Sequence, residues 1–258
     1  MAVVFQRTAG LTDAETHYCP GCTHGIVHRL VGEVLVELGV LDRAIAVIPV
    51  GCATLAYDYF NCDVQQAAHG RAPAVATGIR RVLPDRVVFA YQGDGDLASI
   101  GTAEIVHAAH RSENITVIFI NNAIYGMTGG QMAPTTLVGQ KTTTSPLGRD
   151  PRLAGEPIRI AEMLAQIPGA SFVERVACDS PPHVKAAKRV IRRAFETQLA
   201  GEGFALVEVL STCPTNWGLE PVDALAWVRD HMIPYYPLGN LRDPKKDAAA
   251  RGGVRPEE

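Results

Sequence analysis

The chain has 258 residues, 47% of them apolar, and a formal net charge of −3. That is enough apolar mass for one large α/β domain or two smaller ones, and a charge this close to neutral gives no electrostatic basis for binding nucleic acid or an anionic membrane surface. No apolar run approaches bilayer-spanning length and the first residues lack the charged-then-apolar pattern of a secretory signal, so a cytoplasmic protein with no membrane partner is expected.

In chain order, residues 1–18 read as an extended arm. A Pro20-Gly21 turn leads into an amphipathic helix over 23–38, with Ile26, Val27, Leu30, Val31, Val34, Leu35 and Leu38 on one broad face and Gly39 ending it. Residues 44–50 are almost wholly apolar and predict a strand buried on both sides. A helix over 72–83 follows, stopped by Pro84, and then a second buried strand over 87–91. Next come a helix over 97–111 and a third apolar strand over 115–120. Short apolar strands alternating with helices predict an α/β fold, a parallel sheet with helices on both faces. Residues 121–157 break this rhythm; they are rich in Gly, Thr and Pro, and a loop of that length in a compact domain is usually functional. The alternation resumes with a helix over 158–166, a strand over 171–176, a helix over 181–200 and a strand over 204–210. Another helix falls within 217–232, and from about 241 the chain turns charged and Gly-rich. The expected organisation is a single domain over 1–240 and a flexible tail over 241–258.

The chemistry concentrates at strand ends. Gly93-Asp94-Gly95 directly follows the second strand, and Asn121-Asn122 ends the third. Magnesium takes near-octahedral oxygen ligands, usually one or two protein groups plus phosphate oxygens. Asp94 offers a carboxylate, Asn122 an amide oxygen and Ile124 a main-chain carbonyl at neighbouring strand ends. Gly93 and Gly95 allow a tight turn and close approach of backbone to a diphosphate, which the N–H groups opening the next helix can face. Gly-Asp-Gly alone is a common strand-to-helix turn; its strand context and the Asn pair make it informative. Neither a P-loop nor a dinucleotide fingerprint is present to compete.

Six cysteines in a cytoplasmic chain argue for metal or redox chemistry rather than disulfides. Cys19 and Cys22 form Cys-Pro-Gly-Cys, Cys52 follows the first strand, and Cys213 follows another strand in Thr212-Cys213-Pro214. Cys62 and Cys178 lack such settings and read as bystander thiols. Four thiolates also suit tetrahedral zinc. His24 and His28 stand one helical turn apart, but no third ligand is spaced to join them, so packing and capping are expected. Arg80-Arg81 and residues 188–193 read as solvated helix faces.

The motifs Cys-Pro-Gly-Cys-Thr-His-Gly (19–25), Val-Gly-Cys (50–52), His-Gly-Arg-Ala (69–72), Gly-Asp-Gly-Asp (93–96), Asn-Asn-Ala-Ile-Tyr-Gly-Met-Thr-Gly-Gly-Gln (121–131) and Cys-Pro-Thr-Asn (213–216) occur in that order. With them the chain resembles the thiamine-diphosphate-binding β subunit of 2-oxoacid:ferredoxin oxidoreductases over roughly residues 15–240. The resemblance implies a thiamine-diphosphate-binding fold with Asp94, Asn122 and Ile124 on Mg2+. It implies that Gly93, Gly95, Asp96, Thr128 and Gly129 line the diphosphate, and that His69 and Arg71 lie on the thiazolium or substrate side, His69 as a candidate catalytic group. It further implies a [4Fe–4S] cluster on Cys19, Cys22, Cys52 and Cys213. The implied reaction is oxidative decarboxylation of a 2-oxoacid by coenzyme A with electrons passing to ferredoxin. The stretches 131–146 and 210–218 resemble the branched-chain and 2-oxoglutarate types, with 2-oxoisovalerate preferred. The glutamate needed at the pyrimidine ring belongs to a partner α subunit in this family, and Glu33 and Glu104 read as helix-surface or packing residues. Two rival readings are a non-redox thiamine-diphosphate decarboxylase subunit, which has no use for four convergent cysteines, and a zinc-bearing scaffold subunit, which has no need of the Asp94 to Asn122 spacing.

Overall fold

A computed structural model describes residues 6–243. The apolar runs form the centre of one sheet. The strands are β1 (Ala44–Ile48), β2 (Asp63–Gln66), β3 (Val87–Gly93), β4 (Thr116–Asn121), β5 (Ala170–Ala177), β6 (Phe204–Leu210) and β7 (Gly239–Arg242). Their order across the sheet is β2-β1-β3-β4-β6-β5-β7. All neighbours are parallel except β5 and β7, which run antiparallel. Every residue of β1, β4 and β6 is buried, which is why those strands lack the alternation of a half-solvated sheet.

The helices are α1 (His24–Glu37), α2 (Ala72–Val82), α3 (Thr102–His110), α4 (Pro151–Ala154), α5 (Ile160–Ala165), α6 (Pro181–Leu199), α7 (Pro214–Trp217), α8 (Pro221–Trp227) and α9 (Ile233–Tyr235). On one face of the sheet, Val31, Val34 and Leu35 of α1 and Ile191 and Phe195 of α6 meet Phe89, Tyr91, Ile118 and Val207. On the other, Ala76 of α2, Ile105 of α3 and Leu164 of α5 meet Val47, Val88, Val117 and Phe119. Each such fully buried large side chain contributes on the order of 1.5–3 kcal/mol. A third cluster caps the carboxyl ends of β4, β5 and β6, where Val228, Met232 and Tyr236 close over Ala123, Ala177 and Leu210.

Several local expectations are amended. Two strands carry no apolar signature: β2 is exposed at three of its four residues, and β7 is at best half-buried. β7 spans Gly239–Arg242, so residues 241 and 242, expected in a flexible tail, lie in a strand, with Arg242 opposite Val173 of β5; Asp243 is buried, and residues 244–258 of that tail lie outside the described residues. The helix expected from residue 97 opens instead as a wide turn over Asp96–Ile100, with the Gly101 N–H donating to the Asp96 carbonyl at 2.9 Å. The basic helix faces reach solvent as expected, and there they also carry surface ion pairs: Arg81 with Glu113, Lys188 with Glu33 and Glu37, and Arg192 with Glu37 and Glu196. Among the described residues, no helix is long and apolar enough to cross a membrane.

Candidate thiamine-diphosphate and metal site

The carboxyl ends of β1, β3 and β4 converge on one cleft, where ligands of open α/β sheets bind. Its lining includes His24, Cys52, His69, Gly93, Asp94, Gly95, Asp96, Asn122, Ile124, Gly126 and Thr128, around a volume of about 170 Å3.

The metal corner is built from Asp94, Asn122 and Ile124. Asp94 Oδ1 accepts the Gly95 N–H at 2.9 Å, and Asp94 Oδ2 accepts the Thr135 hydroxyl at 2.5 Å. Asn122 Oδ1 stands 3.2 Å from Asp94 Oδ1 and 2.7 Å from the Ile124 carbonyl oxygen. Three oxygens facing one another without a proton between them repel. Turning the amide over would let its nitrogen donate to both, but it would also oppose the Ile124 N–H, which donates to Asn122 Oδ1 at 3.3 Å. The opposite reading fits better: adjacent oxygens on an octahedral magnesium, each at about 2.0–2.1 Å from the ion, are about 2.9 Å apart. The donor set therefore suits Mg2+. Burial raises the Asp94 carboxyl to about 7, against hydrogen bonds from Thr135 and Gly95 that favour the anion; a bound cation acts in the same sense as those bonds. Between the two β4-derived ligands, Ala123 adopts φ +57°, a left-handed conformation uncommon outside glycine. It is held by the Asn121 side chain, which accepts the Ala123 N–H at 3.1 Å, and by the Thr136 hydroxyl on the Ala123 carbonyl at 2.6 Å. Thr135, Thr136 and Asn121 carry no signal in the sequence beyond the Gly/Thr-rich loop and the Asn pair.

The four cysteines gather on the same side of the cleft. The Cys19 carbonyl accepts the Cys22 N–H at 3.0 Å across the Pro20-Gly21 turn, with Gly21 at φ +78°. A Cβ added to Gly126 would stand 3.3 Å from Cys52 Sγ, 3.4 Å from Cys213 Sγ and 3.7 Å from Asn122 Nδ2. One glycine therefore separates two of the thiols from the magnesium corner. Burial pushes the Cys22 thiol up to about 12, with Cys213, Cys52 and Cys19 adding in the same sense, and Cys52 follows the same pattern. Among the described residues no three His, Cys, Asp or Glu side chains are grouped to hold a single metal ion. Cys22 and Cys52 each feel the charge of Cys19 and Cys213, so the four thiols lie within electrostatic range of one another. Asn216, three residues after its cysteine, joins this corner: its Nδ2 donates to Cys213 Sγ at 3.2 Å and to the Gly126 carbonyl at 2.8 Å. Cys62 and Cys178 lie outside this group and are unpaired to any disulfide.

The remaining assigned residues divide. His69 lines the cleft with its Nδ1 2.6 Å from Asp96 Oδ1. Asp96 also accepts the Gly70 N–H at 2.6 Å and the Gln92 amide at 2.5 Å, so its carboxylate faces inward beside His69, leaving its backbone for a diphosphate. Thr128 lines the cleft, with its hydroxyl donating to Gln131 at 2.6 Å. Gly129 and Arg71 are not in the lining. Arg71 points to α3, donating to the Ile100 carbonyl at 2.9 Å and pairing with Glu104 at 2.5 Å. His24 and His28 pack as expected: His24 Nδ1 meets the Tyr91 hydroxyl at 2.8 Å, His28 Nε2 meets the Tyr18 hydroxyl at 2.6 Å, and Tyr18 stacks on the His24 ring at 4.7 Å. Burial lowers His24 to about 3 and His28 well below the ordinary histidine range, so both are neutral. His24 additionally faces the cleft.

Comparison with known proteins gives consistent relatives. The family described as "Thiamine pyrophosphate enzyme, C-terminal TPP binding domain" matches residues 49–209. Ketoisovalerate oxidoreductase subunit VorA of Methanothermobacter thermautotrophicus is 52% identical over 240 residues, covering 93% of this chain and 50% of that protein. The chain thus spans about half the length of the VorA relatives it matches. 2-Oxoglutarate synthase subunit KorB of Archaeoglobus fulgidus is 37% identical over 217 residues, covering 84% and 77%. Among solved structures, a chain of the 2-oxoglutarate:ferredoxin oxidoreductase of Magnetococcus marinus, with 2-oxoglutarate, coenzyme A and succinyl-CoA bound, superposes with a TM-score of 0.74 at 26% identity, covering 96% of this chain and 91% of that one.

Proposed function

Because the chain belongs to the thiamine-diphosphate-binding subunits of the 2-oxoacid:ferredoxin oxidoreductases, we propose that it serves the coenzyme A-dependent oxidative decarboxylation of a 2-oxoacid to acyl-CoA and CO2, with ferredoxin as electron acceptor. The substrate we favour is 2-oxoisovalerate, since identity to the ketoisovalerate relatives, 52%, exceeds that to the 2-oxoglutarate relatives, 37%; 2-oxoglutarate is the alternative. The complex works in the cytoplasm, where thiols stay reduced.

When bound, thiamine diphosphate supplies the carbanion stabilisation that decarboxylation requires. Asp94, Asn122 and the Ile124 carbonyl hold Mg2+; Gly93, Gly95 and the backbone of Asp96 and Thr128 receive the diphosphate. His69, whose Nδ1 lies 2.6 Å from Asp96 Oδ1, stands on the cleft wall beside the place the diphosphate would take. Cys19, Cys22, Cys52 and Cys213 would ligate a [4Fe–4S] cluster, which would supply one-electron chemistry. The observation that carries this reading is the shared wall at Gly126, which brings thiols and cation ligands to one small residue.

The site is partial. A volume of about 170 Å3 is below the roughly 300–1,000 Å3 of a self-sufficient ligand pocket. Its carboxylates, Asp94 and Asp96, have their oxygens engaged, while Glu104 is tied to Arg71 and Glu33 to Arg29 and Lys188. A partner α subunit therefore supplies the pyrimidine-side glutamate.

The test is anaerobic purification with partner subunits and assay of 2-oxoisovalerate, 2-oxoglutarate and pyruvate with coenzyme A and a viologen dye. Asp94→Ala is expected to lose thiamine diphosphate while keeping cluster iron, and Cys213→Ala to lose iron and acid-labile sulfide. A preparation that carries zinc in place of iron and sulfide, or that reduces no dye with any of the three acids, overturns the proposal.

A further inference from the structure

The loop over 121–157 delivers one hydroxyl to the cation corner, and its chemistry points to metal selection. We propose that Thr135 makes Asp94 a one-oxygen ligand and thereby tunes the site to magnesium over calcium; this rests on the cation site proposed above.

Asp94 is buried and its two oxygens have different tasks. Oδ1 faces Asn122 Oδ1 at 3.2 Å, whereas Oδ2 accepts the hydroxyl of the fully buried Thr135 at 2.5 Å. Calcium accepts six to eight oxygens and readily takes both oxygens of a carboxylate; magnesium keeps near-octahedral geometry with single-oxygen carboxylate contacts. To offer both oxygens to a larger ion, Asp94 would have to leave the Thr135 hydroxyl without a partner in a dry interior.

Thr135 cannot follow such a rotation, because its segment is fixed at every residue. Arg149 is 5% exposed, and its Nη1 donates to the carbonyls of Ala133, Pro134 and Thr136 at 3.1, 2.8 and 2.9 Å. Its remaining donors reach the carbonyls of Ala154, Gly155 and Glu156. The Tyr236 hydroxyl donates to the Thr135 carbonyl at 2.8 Å, and the Ile158 N–H to the Pro134 carbonyl at 3.0 Å. The Thr136 hydroxyl in turn holds Ala123 between the two other oxygen donors. The loop is therefore a rigid clamp organised by a buried arginine, and the Thr135 hydroxyl is its contact with a cation ligand.

The experiment compares the chain purified with its partner subunits, unaltered or carrying Thr135→Ser or Thr135→Val, in equilibrium dialysis against thiamine diphosphate with Mg2+ or with Ca2+. Outer hydrogen-bond partners of metal-bound groups are worth roughly 10–100-fold in metal affinity. Thr135→Val is expected to weaken Mg2+-supported retention by that factor and Ca2+-supported retention less, so the preference for magnesium falls, by at most about 10–100-fold. Thr135→Ser, which keeps the hydroxyl, retains the parental preference. Equal weakening with both ions in Thr135→Val, including complete loss with both, overturns the inference, as does Thr135→Ser behaving like Thr135→Val. An unaltered complex that retains no thiamine diphosphate with either ion removes the cation site itself and this inference with it.

Discussion

Arg175→Met tests the polar spine beneath the site. The Arg175 side chain is fully buried; its Nε donates to Glu208 at 2.8 Å, its Nη atoms to Glu162 at 2.8 and 2.5 Å, and Nη1 to the Pro237 carbonyl at 3.1 Å. Glu208 is 1% exposed and accepts the Asn121 amide at 2.7 Å, which links the spine to the strand end carrying Asn122. Methionine fills much of the volume but leaves Glu208 a buried carboxylate with one neutral donor. Removing one partner of a buried ion pair costs about 3–5 kcal/mol, a large share of the roughly 5–15 kcal/mol that stabilises a domain. Burial already holds Glu208 above the ordinary carboxylate range, with Arg175 and Asn121 opposing it; without Arg175 it rises further. A group whose folded-state value lies above its unfolded one keeps its proton in the folded form while the unfolded form loses it. Stability of the variant therefore falls as pH rises through that window, and its deficit against the parent is larger at about pH 8 than at about pH 5.5. Urea unfolding at both values measures this. A deficit under about 1 kcal/mol at the higher pH, the size of an exposed pair, or an equal deficit at both, would refute the reasoning.

Gly95→Ala places a Cβ 2.2 Å from Tyr125 Cε1 and 2.3 Å from Cδ1. Tyr125 follows the Ile124 carbonyl directly, so relieving the clash at a strain of about 1–3 kcal/mol displaces a metal ligand. Thiamine diphosphate retention by dialysis should drop about tenfold to a hundredfold, and unchanged retention would show that the ring moves freely. Glu113 is buried, but Arg81 and Arg111 hold its carboxylate below the ordinary value. Its contribution is present above the unfolded-state value and is lost as pH falls through the lower folded-state one. Glu113→Gln should therefore cost on the order of 1 kcal/mol near neutrality, since both arginines are solvent-screened, and nothing in strong acid. Thermal unfolding across that range checks it, and a cost that persists in acid contradicts the pairing.

The legible parts of this molecule are those whose signal is local. β1, β3, β4 and β6 are mostly apolar, with Glu208 the one charged residue among them, because neighbours cover both faces. β2 escapes notice because its Asp-Val-Gln-Gln carries no apolar face, its place being set by backbone pairing with β1. Asp94, Asn122, Cys52 and Cys213 are visible because turn residues mark the strand ends they follow, and Cys19 and Cys22 because they flank the Pro20-Gly21 turn before α1. Arg71 misleads for the same reason: it adjoins His69 in the chain, yet helical geometry turns it to Glu104 while His69 turns to Asp96.

Composition, periodicity and turn chemistry thus determined an α/β sheet with oxygen and sulfur donors at its strand ends, since each of those features is written within a few adjacent residues. Only the tertiary structure decided that Thr135 is the residue that engages Asp94, that Gly126 lies between Asn122 and the thiols of Cys52 and Cys213, and that Arg149 clamps the intervening loop. Those contacts join residues far apart in the chain, and which of several equivalent threonines, glycines or arginines arrives is settled by packing rather than by any local pattern.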